Sequence, residues 1–525
     1  MNPDLSNLPD DAAALKEIIA FHLAEKDKYK EKIDYLEKMV LLLQKEIFGR
    51  KSEKHILPDP EQRQLFDPIE AQEHRVGEEK IVIPEHTRKK RGRQPLPADL
   101  PRIDVIHDIA EEDKQCACGV ALSCIGQDVS EKLDYVPAKL QVIRHIRLKY
   151  ACKSCEGVED DGPTVKIAPV PVQLLPKSIA SEGLIAHLIV SKFADGLPLY
   201  RQQKIFGRLG IELSRATMAN WVVKASQKCR PLIDLLEKEI RGGPLINADE
   251  TPYQVLNEPG RHNTSKSYMW VFKGGQENSP ALLYQYHRTR SGDAALSFLK
   301  DYQGYIQSDA FSGYEYLSGK KGITHVGCWA HARRYFVNVV KAKKKNRSKR
   351  IQPKSLADEA LEFIGRLYQI EKEAKVKNLE PQEIYQLRQE KAKPVLTSFK
   401  TWLDAKQPIT PPKGLLGKAV SYALKHWDKL IVYIEDGRLS PDNNAAENAI
   451  RPFVVGRKNW LFAGHPNGAE AGATFYSLVE TAKANRLEPY NYLRYIFEKF
   501  PLAHTDQDYE KLLPRFVNKK DLAVT

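Results

Sequence analysis

Three acidic residues, Asp249 in PLINADETPY, Asp309 in YIQSDAFSGY and Glu447 in SPDNNAAENAIR, have the side chains and the settings for metal-assisted chemistry. The aspartates each end a short apolar run, Leu245-Ile246 and Tyr305-Ile306, that reads as a buried strand. The glutamate falls on a helix expected to open at Ser440 and Pro441. Two strand-end aspartates and a helix-borne glutamate can meet at one spot and hold two divalent cations, magnesium or manganese. Hard cations take oxygen ligands, and a pair of them clamps the attacking and leaving oxygens of an in-line displacement at a phosphodiester. Any single carboxylate is weak evidence in a chain with 68 of them, so the surroundings matter. After Asp249, Glu250-Thr251-Pro252 is expected to end the strand, and after Asp309, Ala-Phe-Ser-Gly reads as a turn. Asn443 and Arg451 each stand one helical turn from Glu447, which would put an amide, a carboxylate and a guanidinium on one face. A surface ion pair between Glu447 and Arg451 is the plainer reading of the same spacing.

The elements that must position these groups follow from the pattern around them. LINADETPYQVL, SYMWVFKG and ALLYQYHRT read as three consecutive strands, a helix is expected from Gly292 to Tyr302, and GYIQSDA reads as a fourth strand. That order suits a ribonuclease H-like core, a mixed sheet flanked by helices in which the first and fourth strands lie side by side. Residues 340 to 436 read as a charged helical insertion that begins with seven basic side chains in ten, Lys341 to Arg350.

The chain has 525 residues, which suggests roughly three or four domains. A net charge of +13 points to a polyanionic partner. No apolar run reaches the ~20 residues of a membrane span, and the polar start MNPDLSNLPDD is not a secretory signal. Four of the seven cysteines form two close pairs, which fits metal binding in a reducing compartment, the cytoplasm, better than disulfides.

Residues 13 to 48 contain a heptad with Ile19, Lys26, Ile33, Val40 and Ile47 at a and Leu15, His22, Tyr29, Leu36 and Leu43 at d. β-Branched a positions with leucine at d favour a parallel two-stranded coil and hence a homodimer or higher assembly, although an amphipathic helix on the chain's own core has the same signature. The charged, proline-punctuated stretch beyond it contains Arg91-Gly92-Arg93, which reads either as a solvated linker or as an arm for the DNA minor groove. Cys116 and Cys118, then Cys152 and Cys155 after a strand-like stretch (Tyr135 to Tyr150), resemble the two knuckles of a zinc ribbon holding one structural Zn²⁺, with Cys124 as a spare. YRQQKIFGRL, a glycine turn and a second helix capped by Ser214 fit a helix-turn-helix, and fit any helical hairpin whose Trp221 and Val222 pack inward.

The ordered series of motifs resembles a full-length transposase of the insertion-sequence family numbered sixty-six, a bacterial DDE-type group. The likeness runs from IFGRKSEK (47–54) through the paired cysteines, LDYVP (133–137), FADGLPLY (193–200), Asp249-Glu250-Thr251, GCWAHARR (327–334), DNNAAENAIR (442–451), GRKNW (456–460) and YSLVETAK (476–483). It implies that Asp249, Asp309 and Glu447 are the metal-binding triad, that a zipper-like start and a zinc-binding segment accompany it, and that proteins encoded by the same element assist. It also implies element ends and target DNA as substrates. Cys328 and His331 form a C-x-x-H pair that reads either as a supporting element near the active centre or as a packed cysteine and a satisfied helix histidine. Arg333, Arg334, Arg457 and Lys458 are candidates for DNA phosphates, and Trp329 or Trp460 for base stacking.

These readings describe a multidomain α+β chain: a coiled-coil helix (1–50), a basic linker (51–105), a zinc ribbon (106–165) and a helical DNA-binding region (166–242). A catalytic domain follows (243–500, insertion about 341–436), then a tail (501–525). Two other classes fit parts of the pattern: a catalytically silent DNA-binding repressor or accessory protein, and a ribonuclease H-like nuclease that cuts without joining.

Overall fold

The computed structural model describes residues 22, 26, 140–151, 165–276, 278–292, 297–309, 314, 320, 322–344 and 354–522. His22 and Lys26 are helical; the rest of the heptad, Arg91, Arg93, Cys116, Cys118, Cys152 and Cys155 lie outside the described residues. Two compact units separate at about residue 170. In the first, β1 (Lys149–Ala151) pairs antiparallel with β2 (Val165–Ile167). Residues 140–148 form no regular element, so among the described residues of the strand-like stretch only Lys149 and Tyr150 are strand.

The second unit opens with four helices: α1 (Glu182–Phe193), α2 (Leu199–Arg208), α3 (Arg215–Lys228) and α4 (Arg230–Arg241). The expected caps are present. Ser214 Oγ accepts the Thr217 N–H at 3.1 Å, and Gly210 takes a left-handed φ of +80° in the turn between α2 and α3. Trp221 and Val222 are buried.

A six-stranded mixed sheet follows, with β3 (Leu245–Val255), β4 (Lys266–Gln276), β5 (Ser279–His287), β6 (Gly304–Gln307) and β7 (Ile323–Val326) in the order β5-β4-β3-β6-β7. A short β8 (Phe462–Ala463) adds to the far end of β3. β3 runs antiparallel to β4 and parallel to β6, so the first and fourth strands do lie together. The expectation that Glu250-Thr251-Pro252 ends the first strand is overturned, because β3 continues to Val255. Past Asn247 it has left β6 and is paired by β4 alone until β8 joins at Gln254, and a strand open on one side tolerates a proline. Of the helix expected at 292–302, the described Ser297 and Phe298 are helical.

α5 (Trp329–Lys344), α6 (Leu356–Val376), α7 (Pro381–Leu387), α8 (Lys393–Lys406), α9 (Leu415–Lys425) and α10 (Trp427–Ile431) enclose their own apolar cluster around Trp329, Phe399, Trp427 and Tyr433. α11 (Asn444–Trp460), α12 (Pro466–Ala484), α13 (Pro489–Lys499) and the short α14 (Asp506–Glu510) complete the chain. α1–α4 and α11–α13 share the main core with the sheet. α12 also covers the outer edge of β5. Thr481 Oγ1 accepts the Leu282 N–H at 3.0 Å and donates to the Leu282 carbonyl at 3.1 Å, and Ser477 Oγ accepts the Tyr284 N–H at 2.8 Å. The Ser477 and Thr481 hydroxyls, one helical turn apart, thus satisfy an open strand edge that would otherwise invite pairing with another chain.

Candidate active site

The parallel pairing of β3 with β6 ends at Asn247 opposite Gln307, and Asp249 and Asp309 each lie two residues beyond that pair. Both aspartates are therefore delivered to the same end of the same strand pair. Side-chain amides weld this point to the start of α11. Asn247 Nδ2 donates to Gln307 Oε1 at 3.0 Å and to Asn443 Oδ1 at 3.2 Å. Asn443 Nδ2 donates to the Ala248 carbonyl at 2.9 Å, and Gln307 Nε2 to the Ser440 carbonyl at 2.6 Å.

These bonds correct two expectations. The helix bearing Glu447 opens at Asn444 with Asn443 as its cap, not at Ser440 and Pro441. Residues 440–443 are instead committed elsewhere: Asp442 Oδ1 accepts the Ala330 N–H at 2.8 Å in the first turn of α5, and the Tyr368 hydroxyl at 2.5 Å. Asn443, for its part, braces β3 with both ends of its amide, which makes it a spacer between strand and helix. Glu447 remains in the first turn of α11, where the helix dipole favours negative charge.

The three acids share one electrostatic neighbourhood. Burial, then Glu250, with further contributions from Asp309 and Glu447, pushes the Asp249 carboxyl up to about 8, against an opposing hydrogen bond from the Glu250 N–H. His331, held below its ordinary value by burial and by Arg334, feels the charges of both Asp309 and Glu447. Its Nδ1 lies 4.0 Å from Glu447 Oε1. Neither of those two atoms, both buried, has a hydrogen-bond partner among the described residues. Cys328 immediately precedes α5, and its Sγ accepts the Asn443 N–H at 3.3 Å. The C-x-x-H pair is thus part of this centre, beside Glu447.

Sequence reasoning passed over the groups that neutralise the site's rim. Glu250 is buried, and burial followed by the charge of Asp309 raises its carboxyl above the usual range. Arg290 reaches it at 2.6 Å and comes within 4.0 Å of Asp309 Oδ2, while the Tyr314 hydroxyl donates to Glu250 at 3.0 Å. The signal available was the acidic dipeptide itself, since a second carboxylate beside a buried aspartate needs a cation or donor of its own. No local pattern ties it to Arg290.

The remaining candidates divide. Arg333 is half-buried, Arg334 and Lys458 are exposed, and Arg451 is exposed on α11. Arg457 donates to Thr251 Oγ1 at 3.2 Å, two residues from Asp249 on β3. Trp329 offers no stacking face, because it is buried and its Nε1 donates to the Leu430 carbonyl at 2.8 Å. Trp460 is half-buried, with Lys192 Nζ 4.0 Å from its ring centre.

Among the described residues, no helix is long and apolar enough to cross a membrane. Comparison with known proteins accounts for most of the chain. Residues 177–471 match the family described as "Transposase IS66 family", residues 113–156 match the zinc-finger binding domain of transposase IS66, and residues 477–514 match its C-terminal element. Residues 35–105 match "Transposase C of IS166 homeodomain". The zinc-finger match spans all four paired cysteines and supports a structural zinc. Three uncharacterized proteins of Sinorhizobium fredii (strain NBRC 101917 / NGR234) are similar along most of their length. y4jD is 34% identical over 519 residues, covering 92% of this chain and 96% of its own. y4hP is 30% identical over 442 residues (82% and 77%), and y4qI 30% over 521 residues (96% and 92%). With an acidic centre built from β3, β6 and α11 inside the matched region, the chain belongs to the IS66 family of transposases.

Proposed function

We propose that this protein is a DDE-type DNA transposase that binds the ends of an insertion sequence, cleaves them in a metal-dependent reaction and joins them to target DNA. Asp249, Asp309 and Glu447 would hold two Mg²⁺ (or Mn²⁺) ions. One observation carries the reading: elements far apart in sequence bring three carboxylates together, so that Asp309 and Glu447 add to the burial and the Glu250 charge that push Asp249 up to about 8. A divalent cation relieves that crowding, and an all-oxygen donor set fits a hard ion. The strand order β5-β4-β3-β6-β7 supports a ribonuclease H-like core.

When bound, the ions would polarise the scissile phosphate and make an attacking hydroxyl available at neutral pH. The protein's own residues set the geometry. The Asn247–Asn443–Ala248 bonds fix the distance from β3 to Glu447, and Arg290 balances Glu250 so that it does not compete for the cations. In the first step water attacks the phosphorus at an element end and the bond to the 3′-oxygen breaks, which frees a 3′-hydroxyl. In the second that hydroxyl attacks a target phosphodiester and releases a target 3′-hydroxyl. In this second step one phosphodiester forms for the one broken, so joining needs no energy-carrying co-reactant.

Arg333, Arg334, Arg457 and Lys458, with Arg91 and Arg93, would contact DNA phosphates, and Cys116, Cys118, Cys152 and Cys155 would hold the structural zinc. The heptad helix would form a homodimer. Changing Asp249 to Asn tests the centre: strand cleavage of labelled end DNA in Mg²⁺ should be abolished while end binding persists. A wild-type protein that binds ends but never cuts would favour the repressor reading, and cutting without joined products would favour a nuclease.

A further inference from the structure

Three ligand atoms of a different chemical character sit within the same centre. A thiol, an imidazole nitrogen and a carboxylate oxygen, from Cys328, His331 and Glu447, all lie within 4.8 Å of one another. We propose that these residues form a site for a thiophilic divalent ion, Zn²⁺ or a similar borderline metal, that shares Glu447 with the magnesium centre and takes this carboxylate out of it when filled. The inference rests on the proposed role of Glu447 only for its effect on activity; the ion site itself does not depend on that role.

Four features of the fold favour it. The donor set is sulfur, nitrogen and oxygen, which magnesium shuns and zinc accepts, and three protein ligands leave a fourth position for water. The ligands come from rigid places: Cys328 and His331 span the start of α5, and Glu447 lies in the first turn of α11. Those two starts are tied together directly, since Asp442 accepts the Ala330 N–H at 2.8 Å and the Pro441 carbonyl accepts the Trp329 N–H at 2.8 Å. His331 Nδ1 and Glu447 Oε1 are buried, lack hydrogen-bond partners among the described residues and stand 4.0 Å apart, a gap that a bridging cation would close. Zinc–ligand bonds of about 2.0–2.3 Å place neighbouring ligand atoms roughly 3.3–3.8 Å apart, so the three atoms need draw together by only about 1 Å.

The sulfur is prepared for the role as well. Burial pushes the Cys328 thiol up to about 12, yet the backbone N–H groups of Asn443 and His331 point at it and oppose that rise. Donors of this kind stabilise a metal-bound thiolate, which a bound cation deprotonates outright. A cysteine so deeply buried, 2% exposed, has little other chemistry open to it.

The test counts zinc in full-length protein after equilibration with Zn²⁺ and dialysis, comparing wild type with Cys328→Ser and His331→Gln. The ribbon cysteines are present in all three, so they cancel. Wild type should retain one more zinc than either variant, and Co²⁺ substitution should give a thiolate charge-transfer band that is weaker in Cys328→Ser. Added Zn²⁺ should also slow Mg²⁺-dependent cleavage by wild type at least about tenfold more than it slows each variant relative to that variant's own zinc-free rate. Equal zinc content in wild type and in both variants, with circular dichroism showing them folded, overturns the proposal. If wild type shows no cleavage at all, the transposase reading falls, and the zinc count still decides this one.

Discussion

Asp249 is the residue on which the proposed chemistry turns, and its environment makes a pH prediction. Its carboxyl is raised from an ordinary 3.8 to about 8, chiefly by burial. Between those values the folded, metal-free protein holds a proton that the unfolded chain has lost. The contribution to stability is therefore complete below pH 3.8 and is lost as pH rises through about 8. A cation must displace that proton, so Mg²⁺ affinity measured by calorimetry should tighten as pH rises toward 8, by up to about tenfold per unit, and level off above it. In the Asp249→Asn variant that dependence should vanish. A persistent slope in the variant would assign the proton to another group.

At the scale of elements, the edge of β5 and the start of α11 decide how firmly the centre is held. Thr481→Val keeps the shape of the side chain but strands the Leu282 N–H and carbonyl, both buried beneath α12. Urea unfolding should show a loss of about 1–3 kcal/mol, the cost of unsatisfied buried groups. Asn443→Ala removes the amide that spaces α11 from β3. Cleavage should fall by a larger factor than end binding, because the carboxylate's position matters to chemistry more than to docking. The helices that precede α11 contribute here too: Arg388, buried between α7 and α8, donates to the carbonyls of Tyr433, Asp436 and Leu439 at 2.7–2.8 Å and pairs with Glu371 at 2.7 Å. It thereby anchors the strand of chain that leads directly into Ser440 and Glu447.

At the scale of the whole molecule, the net charge of +13 and the match to a transposase family agree on a polyanionic partner. Removing residues 1–50 should convert a dimer into a monomer by light scattering and weaken binding to paired ends more than to a single end, if the heptad helix joins two chains. An unchanged mass would place dimerisation elsewhere.

The sequence by itself determined the parts list. Asp249, Asp309 and Glu447 stood out because each lies beside a strong local signal, an apolar strand or a capped helix. The paired cysteines and the order of β3, β4, β5 and β6 were readable for the same reason: periodicity and spacing are local properties. Tertiary structure alone decided what those parts touch. The Asn247–Gln307–Asn443 amides span 60 and 196 residues, and the Glu250–Arg290–Tyr314 group joins β3 to residues that no nearby pattern singles out. The start of α11 was misread because Pro441 and Ser440 carry the residue types of a helix opening, while their carbonyls and the Asp442 side chain are claimed by β6 and α5. Long-range hydrogen bonds override local propensity wherever a buried polar group has no other partner.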